Sequence, residues 1–280
     1  MDELATRYYR GSDLTHRMML MMAYNEVFID ATWELPGTED NLPVKYLAGA
    51  IFFDLGKIKT LTPLGAAFPP ADHVAKMADA MGISNDDHLI LYDRNGLFSA
   101  PRVWWTFKSV GHKKVEIING GLPAIIAGGY SPSISDKLRT PTPSKGYIPS
   151  PPLVKGVTIE EVLIAIENGT QIVDARSHGR FSGTEPEPRK GLRSGHIPGS
   201  INLPLGNLLN DKKCITDETK HKIAKAGIDL SKPIITTCGS GVTAAGLAFI
   251  FDVFGAKDVS VYSGSWAQYG ASSHPIETGP

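Results

Sequence analysis

The chain of 280 residues is 42% hydrophobic and 20% charged, a balance that excludes gross disorder and leaves room for one large domain or two modest ones. Its 28 Lys and Arg against 29 Asp and Glu give a net charge of −1, without the basic excess of a nucleic-acid binder. Two cysteines, Cys214 and Cys238, cannot build a disulfide framework or a CxxC metal site, so both are expected as reduced thiols.

Near the start, Asp2 and Glu3 stand where a secretory or organellar leader would carry basic residues. The apolar run Met18–Ala23 is far shorter than the roughly 20 residues of a membrane span. It reads as a helix flank on the core, and the protein as cytoplasmic with no membrane partner. Three short segments then occur twice. Phe28-Ile29-Asp30-Ala31-Thr32-Trp33 is echoed by Ile172-Val173-Asp174-Ala175-Arg176-Ser177, an offset of 144. Leu89–Asp93 and a glycine-containing loop are echoed by Ile234–Cys238 and another, an offset of 145. Asn119–Leu122 answers Ser263–Trp266, again at 144. One order at nearly one spacing predicts a duplicated domain.

Between the copies, residues 131–152 contain Pro132, Pro141, Pro143, Pro149, Pro151 and Pro152. Such a stretch cannot hold a helix or central strand and is expected to be an extended, semi-rigid connector. The predicted organisation is therefore 1–130, a linker over 131–152, and 153–280. In the second copy Thr158 to Asn168 reads as a helix with Thr158 and Glu161 as a capping box. Strands are predicted at Gln171–Asp174, Ile201–Leu203, Pro233–Thr237 and Val259–Tyr262. Helices are predicted at Thr219–Ala226 and Val242–Phe254, closed by Gly227 and Gly255. Strands alternating with helices give an α/β class, each copy a mostly parallel sheet flanked by helices (α/β/α).

In open α/β sheets ligands bind beyond the carboxyl ends of strands, and Cys238-Gly239-Ser240-Gly241-Val242-Thr243-Ala244 falls there. Two glycines let the loop curl so that backbone N–H groups point inward, and the following helix adds its positive end. A thiol at the head of that cradle has its thiolate stabilised, which makes Cys238 the candidate nucleophile. The matching residue in the first copy is Asp93, followed by Arg94-Asn95-Gly96-Leu97-Phe98-Ser99. A carboxylate cannot do thiolate chemistry, so the first half is expected to be catalytically inactive.

The tandem halves, Gly195-His196-Ile197-Pro198-Gly199-Ser200-Ile201-Asn202, the Cys238–Ala244 loop and Gly96–Trp105 together resemble the two-domain rhodanese and 3-mercaptopyruvate sulfurtransferase family. The resemblance implies that Cys238 takes sulfur from a small donor as a persulfide and passes it to a thiol, thioredoxin or cyanide. Thiosulfate-specific members carry basic residues directly after the cysteine; here Gly239 and Ser240 stand there, so the loop resembles the mercaptopyruvate type. The stretch Gly179–Arg189 resembles the family's substrate-binding segment, which assigns Arg180 and Arg189 to the donor carboxylate. Alternatively one of them pairs with Glu185 or Glu187 in a surface loop. Gly239, Gly241, Val242 and Thr243 are expected to line the donor site, and Ser240 to serve catalysis. The family's relay Asp and His fall near Gly56 and Ala66, where neither side chain exists. His73, nearby in sequence, is expected on the next helix, and proton handling is left to water, Ser240 and the loop dipole.

His196 is expected to be a buried structural histidine, and Cys214, in a polar stretch without glycines, is given no role. No metal or organic cofactor is expected: the eight histidines form no ligand-spaced cluster, and the loop lacks a Walker ending. Thiosulfate sulfurtransferase and a non-enzymatic sulfur-binding module stand as alternatives. Phosphatase chemistry on the same fold is disfavoured, because Ala244 occupies the place of a phosphate-binding arginine.

Overall fold

The computed structural model describes residues 8–9, 26–34, 44–128, 134–144 and 146–280; the Met18–Ala23 run lies outside them. The strands are β1 Tyr8–Tyr9, β2 Glu26–Asp30, β3 Tyr46–Leu47, β4 Ile51–Phe52, β5 His88–Tyr92, β6 Val115–Ile118, β7 Ile134–Ser135, β8 Lys155–Val157, β9 Gln171–Asp174, β10 Ile201–Asn202, β11 Ile234–Thr237 and β12 Val259–Tyr262. Two five-stranded sheets have the orders β1-β6-β5-β2-β4 and β10-β9-β11-β12-β8, and every pairing in them is parallel. Taken from opposite ends the two orders coincide, so β2 and β5 correspond to β9 and β11. The duplication visible in the sequence is a duplication of topology.

Contacts divide the chain into two compact units, one holding the described residues of 1–61, 69–153 and 211–214, the other 62–68, 154–210 and 215–280. In the first, Phe28, Ile90, Tyr92 and Ile118 lie in one apolar cluster. Ile172, Ile235, Tyr262 and Trp266 lie in the corresponding cluster of the second. The helix Val242–Val253 is apolar all round, and every residue but Thr243 and Asp252 is buried. Burying Phe249 and Phe251 alone contributes about 1.5–3 kcal/mol each. Gly246 lets this helix lie against Leu205, because a Cβ there would stand 2.8 Å from Leu205 Cδ2. Among the described residues, no helix is long and apolar enough to cross a membrane.

Local signals hold where they are chemical and slip at element ends. Thr158 and Glu161 form the expected capping box on Ile159–Glu167. The helix expected from Thr219 begins at Asp217, because Thr216 caps it and Thr219 is the reciprocal partner. The strand expected at Ile201–Leu203 ends at Asn202. The proline-rich stretch adds to the expectation. The expected extended connector has an added role: its described part is a strap on the first unit, with N–H groups of Arg139, Ser144 and Ser150 donating to the carbonyls of Ala50, Asp79 and Val110 at 2.8, 2.8 and 2.9 Å. Tyr147, only 5% exposed, stacks on His112 and hydrogen-bonds its Nδ1 at 3.0 Å. Proline removes donors from a helix or ladder, yet an extended chain can satisfy its remaining N–H groups on neighbouring carbonyls.

Candidate active site

β11 ends at Thr237, and Cys238 opens the turn into the Val242–Val253 helix. The backbone carbonyls of Cys238 and Gly239 accept the N–H groups of Trp266 and Ala267 at 2.9 and 3.0 Å. With those carbonyls tied outward, loop N–H groups face the sulfur: Gly241 donates to Cys238 Sγ at 3.1 Å. Gly241 needs its missing side chain, since it sits at φ 80° as the residue preceding the helix.

Cys238 is 2% exposed. Burial opposes its ionisation and Asp174 adds a smaller opposition, but the Thr243 hydroxyl and the N–H groups of Ser240 and Ala244 outweigh them, so the thiol is held below its ordinary value. Thr243 is thus part of the cradle through its side chain. Thr243→Val keeps the shape and removes that donor, so the thiolate should appear at higher pH. A titration of the thiolate's ultraviolet absorbance, with Cys238→Ser as blank, reads the upward shift.

The second glycine has a different reason. Gly239 is not left-handed; a Cβ on it would lie 2.8 Å from Arg180 Nη2, so its absence lets the guanidinium approach the loop. Arg180 is held there by Glu187, with Nη2 at 2.6 Å from Oε2 and Nε at 3.2 Å from Oε1. Glu187 Oε1 also accepts Arg176 Nη1 at 2.8 Å, and Arg176 in turn grips Asp174, with Nη2 2.7 Å from Oδ2. The chain Asp174–Arg176–Glu187–Arg180 is internally neutral, and Arg176 and Glu187 side chains are 1% and 2% exposed. Arg189, exposed, reaches the same place from outside, with Nη1 3.4 Å from the Gly239 carbonyl. Both arginines singled out in the sequence therefore border Gly239. It is Arg180, not Arg189, that pairs with Glu187. Glu187 is therefore a buried partner rather than one in a surface loop, and the sequence signature of the Asp174–Arg176 pair is an acidic residue ending a strand with a basic one two positions on.

Ser240 is half-buried and contributes its N–H to the sulfur. His196, 4% exposed, places Nδ1 2.9 Å from the Phe181 carbonyl and stacks on that ring. Gly56 lies inside the helix Leu55–Leu61, and Ala66 in a turn. His73, in the first turn of Ala71–Met81, has Nε2 3.9 Å from Asp72 and a buried Nδ1 without a hydrogen-bond partner.

The corresponding loop of the first unit is filled by its own side chain. Asp93, fully buried, accepts N–H groups from Asn95 on Oδ1 and from Phe98, Ser99 and Ala100 on Oδ2, each at 2.9 Å. The same turn after the same strand thus gathers N–H groups around a carboxyl group in one copy, where burial pushes its pKa up, and around a thiol in the other. Residues 211–214 pack on this loop region as well: Gly96 must lack a Cβ to clear Lys213, and Gly120 to clear Cys214 Sγ. Cys214, half-buried, faces the carbonyls of Lys212 and Asn119 at 3.4 and 3.8 Å, and burial pushes its thiol up.

The family model for the Rhodanese-like domain matches residues 20–127 and 158–272. Human 3-mercaptopyruvate sulfurtransferase is 35% identical over 257 residues, covering 88% of this chain and 86% of that protein. Thiosulfate sulfurtransferase of Cricetulus griseus is 36% identical over 258 residues, covering 86% of this chain and 84% of its own length. Among solved structures, SseA of Escherichia coli, described as a 3-mercaptopyruvate sulfotransferase, superposes with a TM-score of 0.77 at 32% identity, covering 93% of this chain and 99% of that one.

Proposed function

Because the chain belongs to the rhodanese-like family and carries two such domains in tandem, we propose that it is a sulfurtransferase that moves sulfur from 3-mercaptopyruvate, through a persulfide on Cys238, to a thiol acceptor such as thioredoxin or to cyanide. The observation that carries this reading is a sulfur at the head of an N–H cradle, with its thiol held below the ordinary value, beside a loop glycine bordered by Arg180 and Arg189.

The chemistry balances within the site. The Cys238 thiolate attacks the donor sulfur and an S–S bond forms. The C–S bond breaks, and its electron pair leaves as the enolate of pyruvate. The proton that the donor thiol carried ends on the enolate carbon, passed by water or Ser240, since Gly56 and Ala66 supply no carboxylate or imidazole. The anionic persulfide remains under the loop N–H groups, and an acceptor thiolate or cyanide then takes the outer sulfur and restores the Cys238 thiolate. Arg180 and Arg189 receive the donor carboxylate away from the reacting sulfur.

Thiosulfate carries its charge on the sulfonate beside the transferred sulfur, and the side chains of Gly239 and Ser240 add no cation to the two arginines that border the loop. The ratio of kcat/KM for the two donors is expected to favour 3-mercaptopyruvate by at least about tenfold, the scale of one charge-assisted contact. A ratio below one would reassign the donor. Incubation with 3-mercaptopyruvate should add one sulfur to the Cys238 peptide in mass spectrometry and none to Cys214. The first half, with its loop closed on Asp93, acts as scaffold, and a reducing cytoplasm suits two free thiols.

A further inference from the structure

Ser265 has φ 49°, and with Lys213 it is one of two non-glycine residues with positive φ among those described. A side chain in that conformation crowds its own backbone, and such residues persist where the surroundings hold them for a purpose. Ser265 is fully buried and opens the helix Ser265–Tyr269. The 144-residue offset leads from it to Gly121, which has φ 57° in the first unit. Both copies therefore require a left-handed residue at this corner. Glycine supplies it where the loop holds Asp93; serine supplies it where the loop holds Cys238.

In the first unit a Cβ at 121 would stand 2.2 Å from the Asp93 carbonyl oxygen, so only glycine fits there; in the second unit the corner admits a side chain, and the one present is a hydroxyl. Ser265 Oγ accepts the N–H of Cys238 at 3.2 Å, donates to the Tyr262 carbonyl at 2.7 Å, and lies 4.0 Å from Cys238 Sγ. It thus fixes the main-chain N–H of the nucleophile, while Trp266, the next residue, fixes the Cys238 carbonyl. We propose that Ser265 is a positioning residue for Cys238, holding the nucleophile's backbone in register with the cradle and keeping an O–H beside the sulfur, at the expense of a strained backbone. One O–H cannot serve two acceptors at once. It rests on Tyr262 when the sulfur carries a proton and turns toward the sulfur when the sulfur is anionic. This inference rests on the reading of Cys238 as the sulfur carrier.

Strain and function can be separated by substitution. Ser265→Gly removes the crowding and the hydroxyl together, while Ser265→Ala removes only the hydroxyl. In the full-length protein, Ser265→Gly should melt at or above the wild-type temperature and Ser265→Ala at or below it. Both should show the Cys238 thiolate titrating at higher pH, in a site where Asp174 is the charged group opposing ionisation. Both should lose about tenfold in kcat with KM for 3-mercaptopyruvate nearly unchanged, the factor of one hydrogen bond. A Ser265→Gly protein whose thiolate titration and kcat match wild type would overturn the proposal. Cys238→Ser in the same assay keeps the two questions apart: transfer surviving that change would refute the sulfurtransferase reading itself.

Discussion

Cys238→Ser should abolish sulfur transfer, lowering kcat on the order of 10⁴-fold or more, the scale seen when a covalent nucleophile is removed. A serine hydroxyl keeps its proton at neutral pH, and oxygen cannot carry the transferred sulfur as a persulfide does. The replacement fits: serine oxygen is smaller than sulfur and can accept the N–H of Gly241 in its place. The melting temperature should therefore remain near wild type, so lost activity cannot be ascribed to unfolding. Cys214 gives no rescue, since burial holds its thiol protonated and its sulfur faces two carbonyls. Steady-state pyruvate release and the sulfur content of the protein after donor exposure measure the outcome together. Release at even one-tenth of the wild-type rate would sink the assignment of the nucleophile.

Glu187→Ala should be the most damaging change to the second unit's stability among the site residues. It removes one carboxylate from two arginines, one of which, Arg176, is 1% exposed. Arg176 keeps Asp174, but the chain is left with one excess positive charge and Arg176 Nη1 without its acceptor, a buried loss that costs about 3 kcal/mol. For a domain of this size that lowers the melting temperature by about 10 °C. Arg180 is 23% exposed and adds less, because solvent screens it. A second effect follows from geometry. Freed from Glu187, Arg180 no longer stays over Gly239, so KM for 3-mercaptopyruvate should rise about tenfold while kcat changes little. Glu187→Gln, which keeps the shape and half of the acceptors, should fall between. Thermal melts and donor titrations on the same samples check both, and a Glu187→Ala protein with wild-type KM would show that Arg180 holds its place alone.

The repeat makes the architecture legible in the sequence. Two runs ending in Asp30 and Asp174, and two loops headed by Asp93 and Cys238, mark equivalent corners of equivalent sheets. The cysteine loop is legible too, because two glycines after an apolar run at a strand end have a chemical reason. What stays hidden depends on distance in the sequence. Gly239 is small for Arg180, 59 residues earlier, and nothing in a loop of seven letters announces it. The Asp174–Arg176–Glu187–Arg180 chain hides its burial, since surface loops are equally rich in charges. Ser265 looks ordinary in sequence, and its backbone angle comes from tertiary packing. Alignment of the two halves supplies the one clue, a glycine at position 121. The proline-rich stretch is silent in another way: proline says what the chain cannot form, not what it lies against.

The strap and the two exchanged segments make a single cut through this molecule costly. A fragment ending at residue 130 would strip Ala50, Asp79 and Val110 of their donors and bare His112, yet one extended to residue 153 would still lack 211–214. The complementary fragment would begin without 62–68. Each half thus borrows a few residues that only the other can encode, so a lineage carrying this arrangement cannot shed either half without rebuilding the one that remains.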